Sequence, residues 1–152
     1  MALREIRRSG DEALRKVCKP VERVDDRIRQ LLDDMAETMY HAPNGGGLAA
    51  SQVGVLRRLI VADMGQELLK LVNPEIVEQS GRQVEIEGCL SFPGVWGKVE
   101  RPARVVVRAL NELGEPVTVK AEGPLAVCLC HEIDHLDGIV FTDKVTEYVT
   151  IK

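Results

Sequence analysis

His131-Glu132-Ile133-Asp134-His135 constrains this chain more than any other stretch, because it ties a length of helix to a metal ion. Residues four apart on a helix project from one face, one above the other, so two imidazoles there can share a cation. That face must then turn toward further ligands supplied by distant parts of the chain. Glu132 lies beside such an ion without being forced to bind it, which suits a general base acting on a metal-activated water. The plainer alternative is a pair of surface or core histidines. Scarcity argues against it: the chain holds three histidines, and two of them are here.

A catalytic metal site takes three protein ligands and keeps one position open. Glu87-Gly88-Cys89-Leu90-Ser91 offers a thiolate in Cys89, in what reads as a loop bounded by Gly88 and Pro93. Cys18 and Cys128 read as small buried hydrophobes, the usual fate of a lone cysteine. Cys130 directly precedes His131 on the helix and points about 100° away from it, which leaves it off the ligand face. By elimination Cys89 is the third ligand.

Gly45-Gly46-Gly47-Leu48-Ala49-Ala50-Ser51-Gln52 is the other unusual segment. A dinucleotide fingerprint would need a strand immediately before it, and a phosphate loop would need Gly-Lys-Ser/Thr; neither is present. Small residues instead let this backbone pass close to a ligand, while Gln52 supplies an amide donor.

Around these motifs the periodicity predicts an amphipathic helix from Asp25 to about His41, with Ile28, Leu31, Leu32, Met35 and Met39 on one stripe. Ala42-Pro43-Asn44-Gly45-Gly46-Gly47 ends it. Arg58–Asp63 and Leu68–Val72 read as short strands. Ala103–Leu110 and Pro116–Ala121 alternate around Asn111-Glu112-Leu113-Gly114 and form a hairpin. A second helix starts near Gly123-Pro124, with Pro in its first turn, carries the histidines in its second half and stops at Gly138. Ile139–Asp143 and Tyr148–Lys152 are expected as closing strands. Hairpins with two segregated helices give an α+β domain rather than a βαβ repeat.

Composition excludes several functions. At 152 residues the chain fits one domain, residues 1–152, with a real core. A net charge of −4 without a basic run argues against nucleic acid and anionic membranes as partners. No apolar stretch approaches a bilayer span. The charged start, Met1-Ala2-Leu3-Arg4-Glu5-Ile6-Arg7-Arg8, is not a secretory signal, so a cytoplasmic location with four free thiols is expected. With aromatics as scarce as Tyr40, Phe92, Trp96, Phe141 and Tyr148, the core must be built of Leu, Val, Ile and Ala.

The glycine-rich, Glu87–Ser91 and His131–His135 segments occur in the order and approximate spacing of peptide deformylase, and together the chain resembles that family throughout. Leu14-Arg15-Lys16-Val17, Leu71-Val72-Asn73-Pro74 and His135-Leu136-Asp137-Gly138 extend the likeness. The resemblance implies a single domain of antiparallel strands around a central helix carrying H-E-x-x-H. It implies removal of the formyl group from formyl-methionine at the start of new polypeptides in the bacterial cytoplasm, with release of formate. By that similarity Cys89, His131 and His135 hold one divalent ion, Fe2+ in the cell, with Zn2+, Ni2+ or Co2+ in preparations. Glu132 is the acid–base residue. The Gln52 amide and the Leu90 backbone N–H steady the oxyanion. Gly45 and Gly47 border an extended peptide, and Val127 and Cys128 wall the methionine pocket. Nascent peptides are the implied partner, with transient ribosome contact beside them.

Three departures stand out. The position between the outer two motif glycines is usually a branched aliphatic residue in that family, and here it is Gly46. The residue before the first helix histidine is commonly Gln, and here it is Cys130. The chain also stops soon after its last expected strand, without the C-terminal helix of longer members. A metallopeptidase, or a non-catalytic member acting as a binding module, are the competing functions.

Overall fold

The computed structural model describes residues 2–43 and 45–150. Helix α1 (Asp26–His41) begins where Asp25, as N-cap, accepts a hydrogen bond from the Ile28 N–H, and its apolar stripe buries Ile28, Leu32, Met35 and Met39. Strands β1 (Gly47–Ala49), β2 (Leu59–Ala62), β3 (Leu69–Ser80), β6 (Arg104–Leu110) and β7 (Pro116–Glu122) form an antiparallel sheet in the order β1-β2-β3-β6-β7. Strands β4 (Gln83–Cys89), β5 (Phe92–Arg101) and β8 (Val145–Val149) form a second antiparallel sheet in the order β4-β5-β8. Helix α2 (Pro124–Leu136) carries the histidine motif. The expected α+β architecture, antiparallel strands around a central helix, is what the chain adopts.

The larger sheet is apolar on both faces where the helices cover it. In β2, Leu59 and Val61 join the α1 core, while Ile60 and Ala62 join the α2 core, so all four residues are buried. A strand covered twice shows no alternation and reads as one apolar run. On its far side α2 turns to the smaller sheet, where Arg101 of β5 reaches Asp134. The motif helix therefore lies between the sheets.

Several elements differ from the sequence expectation. Strand β3 continues past Val72 to Ser80, through a bulge at Asn73, which adopts φ 52°. The Asn73 side chain makes that conformation tenable: its Oδ1 accepts from the Val21 N–H and its Nδ2 donates to the Val21 carbonyl. Cys89 is not in a loop but is the last residue of β4, and the tight β4–β5 connection is only Leu90-Ser91. Ile139–Asp143 is not a strand. Phe141–Asp143 forms a 3-10 turn, because Asp143 accepts from the Val140 N–H and from both terminal nitrogens of Arg15. The last strand begins earlier than Tyr148, at Val145, and Ile151 and Lys152 lie outside the described residues. Helix α2 ends as expected: Gly138 takes φ 75°, and a Cβ there would lie 2.6 Å from the Arg15 carbonyl oxygen.

Candidate metal centre

Helix α2 sets two of the three donors. Pro124 at its first turn needs no hydrogen-bonded N–H, and the helix runs on to place His131 and His135 one turn apart, ring centroids 5.1 Å from each other. The third donor arrives on β4. One ligand atom each from Cys89, His131 and His135 lies within 4.8 Å of the others, and Cys89 Sγ is 3.4 Å from His135 Nε2. A cluster of one thiolate and two imidazoles, closed to within that span, has the donor set and size for a single divalent ion.

The orientation of His131 is fixed from behind. Its Nδ1–H donates to Glu87 Oε1 at 2.9 Å, and the carboxylate can only accept, so Nε2 is left for the ion. Glu87 is itself clamped by Arg101, whose Nε and Nη2 each reach one of its oxygens at 2.9 Å. Arg101 Nη1 continues to Asp134 at 2.7 Å, and Asp134 pairs with Lys144 at 2.9 Å. Burial alone would raise the Glu87 pKa, but its bonds from Arg101 and His131 hold it down at about 2. Sequence reasoning missed Glu87, Arg101 and Asp134 as supports. A signal existed for Glu87, two residues before Cys89 on the same strand; Arg101 offered none in sequence.

The electrostatics favour a cation. Burial opposes charge on His131, yet Glu132, Cys89 and Glu87 outweigh it and push its pKa up to about 10. That preference for positive charge is what a metal ion would satisfy. His135 is the opposite case: burial, then His131 and Arg101, hold its pKa well below the ordinary value, leaving a neutral imidazole with a lone pair to give. Burial pushes Glu132 up to about 7, despite the opposing charges of His131 and Arg101. Among the described residues Glu132 Oε1 is buried and has no hydrogen-bond partner, so this oxygen is free for a water or a substrate.

The glycine-rich segment closes the site from the other side. Gly47 packs so tightly that a Cβ would lie 2.7 Å from both Cys128 Sγ and Glu132 Oε2. Gln52, fully buried, accepts from the Ala49 N–H through Oε1 at 2.9 Å, which turns its amide nitrogen toward Ser91 Oγ at 3.1 Å and Cys89 Sγ at 3.5 Å. A cleft of about 700 Å³ opens over this group; Gly47, Gln52, Cys89, Leu90, Val127, Cys128, His131 and Glu132 all line it. Of the residues singled out in sequence as ligands, catalytic groups or substrate contacts, two do not line the cleft. His135 is fully buried against Cys89, and Gly45 packs against the Met39 carbonyl at the end of α1. Cys130 is buried off the ligand face, its pKa pushed up to about 11 by that burial.

Known proteins match this chain over nearly all of its length. The family model for polypeptide deformylase matches residues 3–150. A peptide deformylase from Acetivibrio thermocellus is 66% identical over 149 residues, covering 98% of this chain and 87% of that protein. Among solved structures, a peptide deformylase from Legionella pneumophila superposes with a TM-score of 0.91 at 47% identity, over 95% of this chain and 87% of that one. The peptide deformylase of Thermotoga maritima gives 0.93 at 41% identity, over 96% and 99%. With a match that spans both sheets, both helices and every residue of the metal cluster, the chain belongs to the polypeptide deformylase family of enzymes.

Proposed function

We propose that this chain removes the N-formyl group from formyl-methionine at the start of newly made polypeptides, releasing formate, and that residues 1–152 act as one domain in doing so. The observation that carries the reading is the buried, unpartnered Glu132 Oε1, on the helix that supplies both histidine donors and in a residue that lines the cleft together with Gln52. Cys89, His131 and His135 would hold one divalent ion, which when bound polarises a carbonyl oxygen and makes water a stronger acid. Glu132, whose burial raises its proton affinity, takes a proton from the attacking water and returns it to the leaving amine. The Gln52 amide and the Leu90 N–H donate to the oxygen that becomes negative on the formyl carbon. Gly47, with no Cβ to collide with Glu132 and Cys128, lets the glycine-rich backbone lie against both at the edge of the cleft, where it would border the extended peptide, and Val127 and Cys128 border the pocket for the methionine side chain.

Ferrous iron is the working ion in this reading. Affinity alone would favour zinc for such a donor set, so reactivity and supply decide. Cys89 would hold such an ion through its thiolate, and oxidation of that thiolate by air would remove one of the three ligands. The setting is the bacterial cytoplasm, with the nascent chain and, transiently, the ribosome as partners. Bacterial relatives support it, and no helix of the described residues is long and apolar enough to cross a membrane.

One experiment tests both parts. Metal-stripped protein is reconstituted anaerobically with Fe2+, Ni2+, Co2+ or Zn2+, and formate release is followed from formyl-Met, acetyl-Met and unblocked Met peptides. Formate from the formyl peptide alone, fastest with iron and lost on exposure to air, is expected. Cleavage of the unblocked peptide would indicate a peptidase, and no product from any peptide a binding module. A zinc form as fast as the iron form would remove the iron assignment.

A further inference from the structure

Gly46, where the family resemblance leads one to expect a branched aliphatic residue, leaves no gap in the cleft. A Cβ built on Gly46 would lie 2.8 Å from Met64 Sδ and 3.9 Å from its Cε, so the thioether already stands where a side chain at position 46 would begin. Gly46 and Met64 both line the cleft, together with Pro124, Val127 and Cys128 of α2. The Gly46 carbonyl accepts from Cys128 Sγ at 3.5 Å, and Cys128 lies one helical turn before Glu132. Met64 therefore belongs to the wall facing the first part of α2, next to the chemistry rather than over it.

The backbone that presents Met64 is pinned. The Asp63 N–H donates to the Gly46 carbonyl at 2.9 Å, Asp63 Oδ1 accepts from the Gly65 N–H at 2.9 Å, and the Tyr40 hydroxyl donates to Asp63 Oδ2 at 2.5 Å. Gly65 follows at φ 97° and completes the turn. The side chain itself is 42% exposed, unbranched and polarisable, a combination that fills irregular space and adapts to what it meets.

We propose that Met64 is a specificity-determining residue: it forms the adjustable outer wall of the pocket for the substrate's first side chain, in place of the side chain missing at position 46. This rests on the deformylase reading. A wall delivered by a thioether accepts unbranched apolar chains such as methionine and norleucine by close contact, and adds nothing to the binding of alanine.

The test is a double-mutant cycle of Met64→Ala, Gly46→Val and the pair, assayed with formyl-Met-Ala-Ser and formyl-Ala-Ala-Ser. Met64→Ala is expected to raise KM for the methionine peptide about tenfold, the scale of a lost apolar contact in a binding pocket. KM for the alanine peptide should stay put and kcat change by less than about twofold, the signature of lost uniform binding. Gly46→Val alone should also lower kcat/KM for the methionine peptide, because the valine drives the thioether into the pocket. Combined with Met64→Ala, the same substitution should restore methionine preference. Unchanged methionine-to-alanine selectivity in Met64→Ala, or additive effects in the cycle, would overturn the proposal; so would an equal loss with both peptides, which is what a purely structural role produces. A wild-type protein that releases no formate would sink the deformylase reading instead. In that event calorimetric binding of Met-Ala-Ser and Ala-Ala-Ser to wild type and Met64→Ala decides Met64: selective weakening of the methionine peptide upholds it, and equal affinities overturn it.

Discussion

The two sheets of this molecule obey opposite rules. In the larger one, β2 puts Leu59, Ile60, Val61 and Ala62 wholly inside, between α1 and α2. In the smaller one, β4 turns Val84 and Ile86 to solvent and buries Glu87, while β5 buries Arg101 beside it. The first arrangement is what apolar burial alone would produce. The second is expensive, since buried charges must be paired and hydrogen-bonded to be tolerated. Glu87 and Arg101 meet that condition mutually, and the return is a fixed His131 with a thiolate two residues along the same strand. One sheet supplies stability; the other spends some of it to hold donors in place.

Cysteines in the two settings give the largest break in the comparison. Cys18 lies in the core between α2 and the larger sheet, and Cys89 ends β4 in the smaller one. Cys89→Ala is expected to lose the metal, read by elemental analysis, and all measurable formate release, because two imidazoles alone hold the ion far less tightly. Cys18→Ser should keep both. Full metal occupancy in Cys89→Ala would move the third ligand elsewhere.

Next in size is Glu132→Gln, which keeps the shape of the buried group and removes its basicity. Metal content should stay at the wild-type level while turnover falls by about 10²–10⁴-fold, the usual weight of a positioned acid–base group. A metal-replete variant with near-native turnover would strip Glu132 of its role.

Arg101→Met probes the cost of the inverted sheet directly. It leaves Glu87 buried without its clamp, a loss of about 3–5 kcal/mol in urea unfolding for a broken buried pair. Metal affinity should fall by about 10–100-fold as His131 loses its backing. An unfolding midpoint and metal affinity both equal to wild type would mean that Arg101 is a bystander.

The same contrast explains what could be read in the sequence. Helix α1 was legible because its stripe has the helical period and Asp25 and Ala42 stand at its ends. Helix α2 was legible because Pro124 and Gly138 mark its limits and the histidines lie four apart. The β6–β7 hairpin announced itself through alternation around Asn111-Glu112-Leu113-Gly114, where Asn111 Oδ1 accepts from the Leu113 and Glu115 N–H groups. Strand β4 escaped because its alternation carries the wrong polarity for a half-buried strand: Val84-Glu85-Ile86-Glu87 would by rule face its apolar residues inward, whereas Glu87 is the one buried. The rule failed where the function sits, since what β4 buries is a carboxylate for a histidine. Cys89, His131, His135 and Glu132 were visible through residue type and spacing, and Gln52 through the small-residue segment before it. Arg101 and Asp134 were not, because their roles exist only through contacts that the fold creates.

The smallest expected effect completes the comparison, and uses one chemical change in both sheets. Val→Thr keeps the side-chain shape and replaces a methyl by a hydroxyl. At Val61, 0% exposed between β1 and β3, the new hydroxyl enters an apolar core where it displaces a methyl from close packing. An unpartnered buried hydroxyl costs about 1–3 kcal/mol, which would appear as a lower urea midpoint at unchanged slope. At Val84, 54% exposed on β4, the hydroxyl meets water, and threonine suits a strand as well as valine does. The change there should stay within about 0.5 kcal/mol, with metal content and formate release unaltered. If Val84→Thr proved as costly as Val61→Thr, the outer face of β4 would not be a free apolar surface but a packed one, and the inverted polarity of the smaller sheet would need another cause.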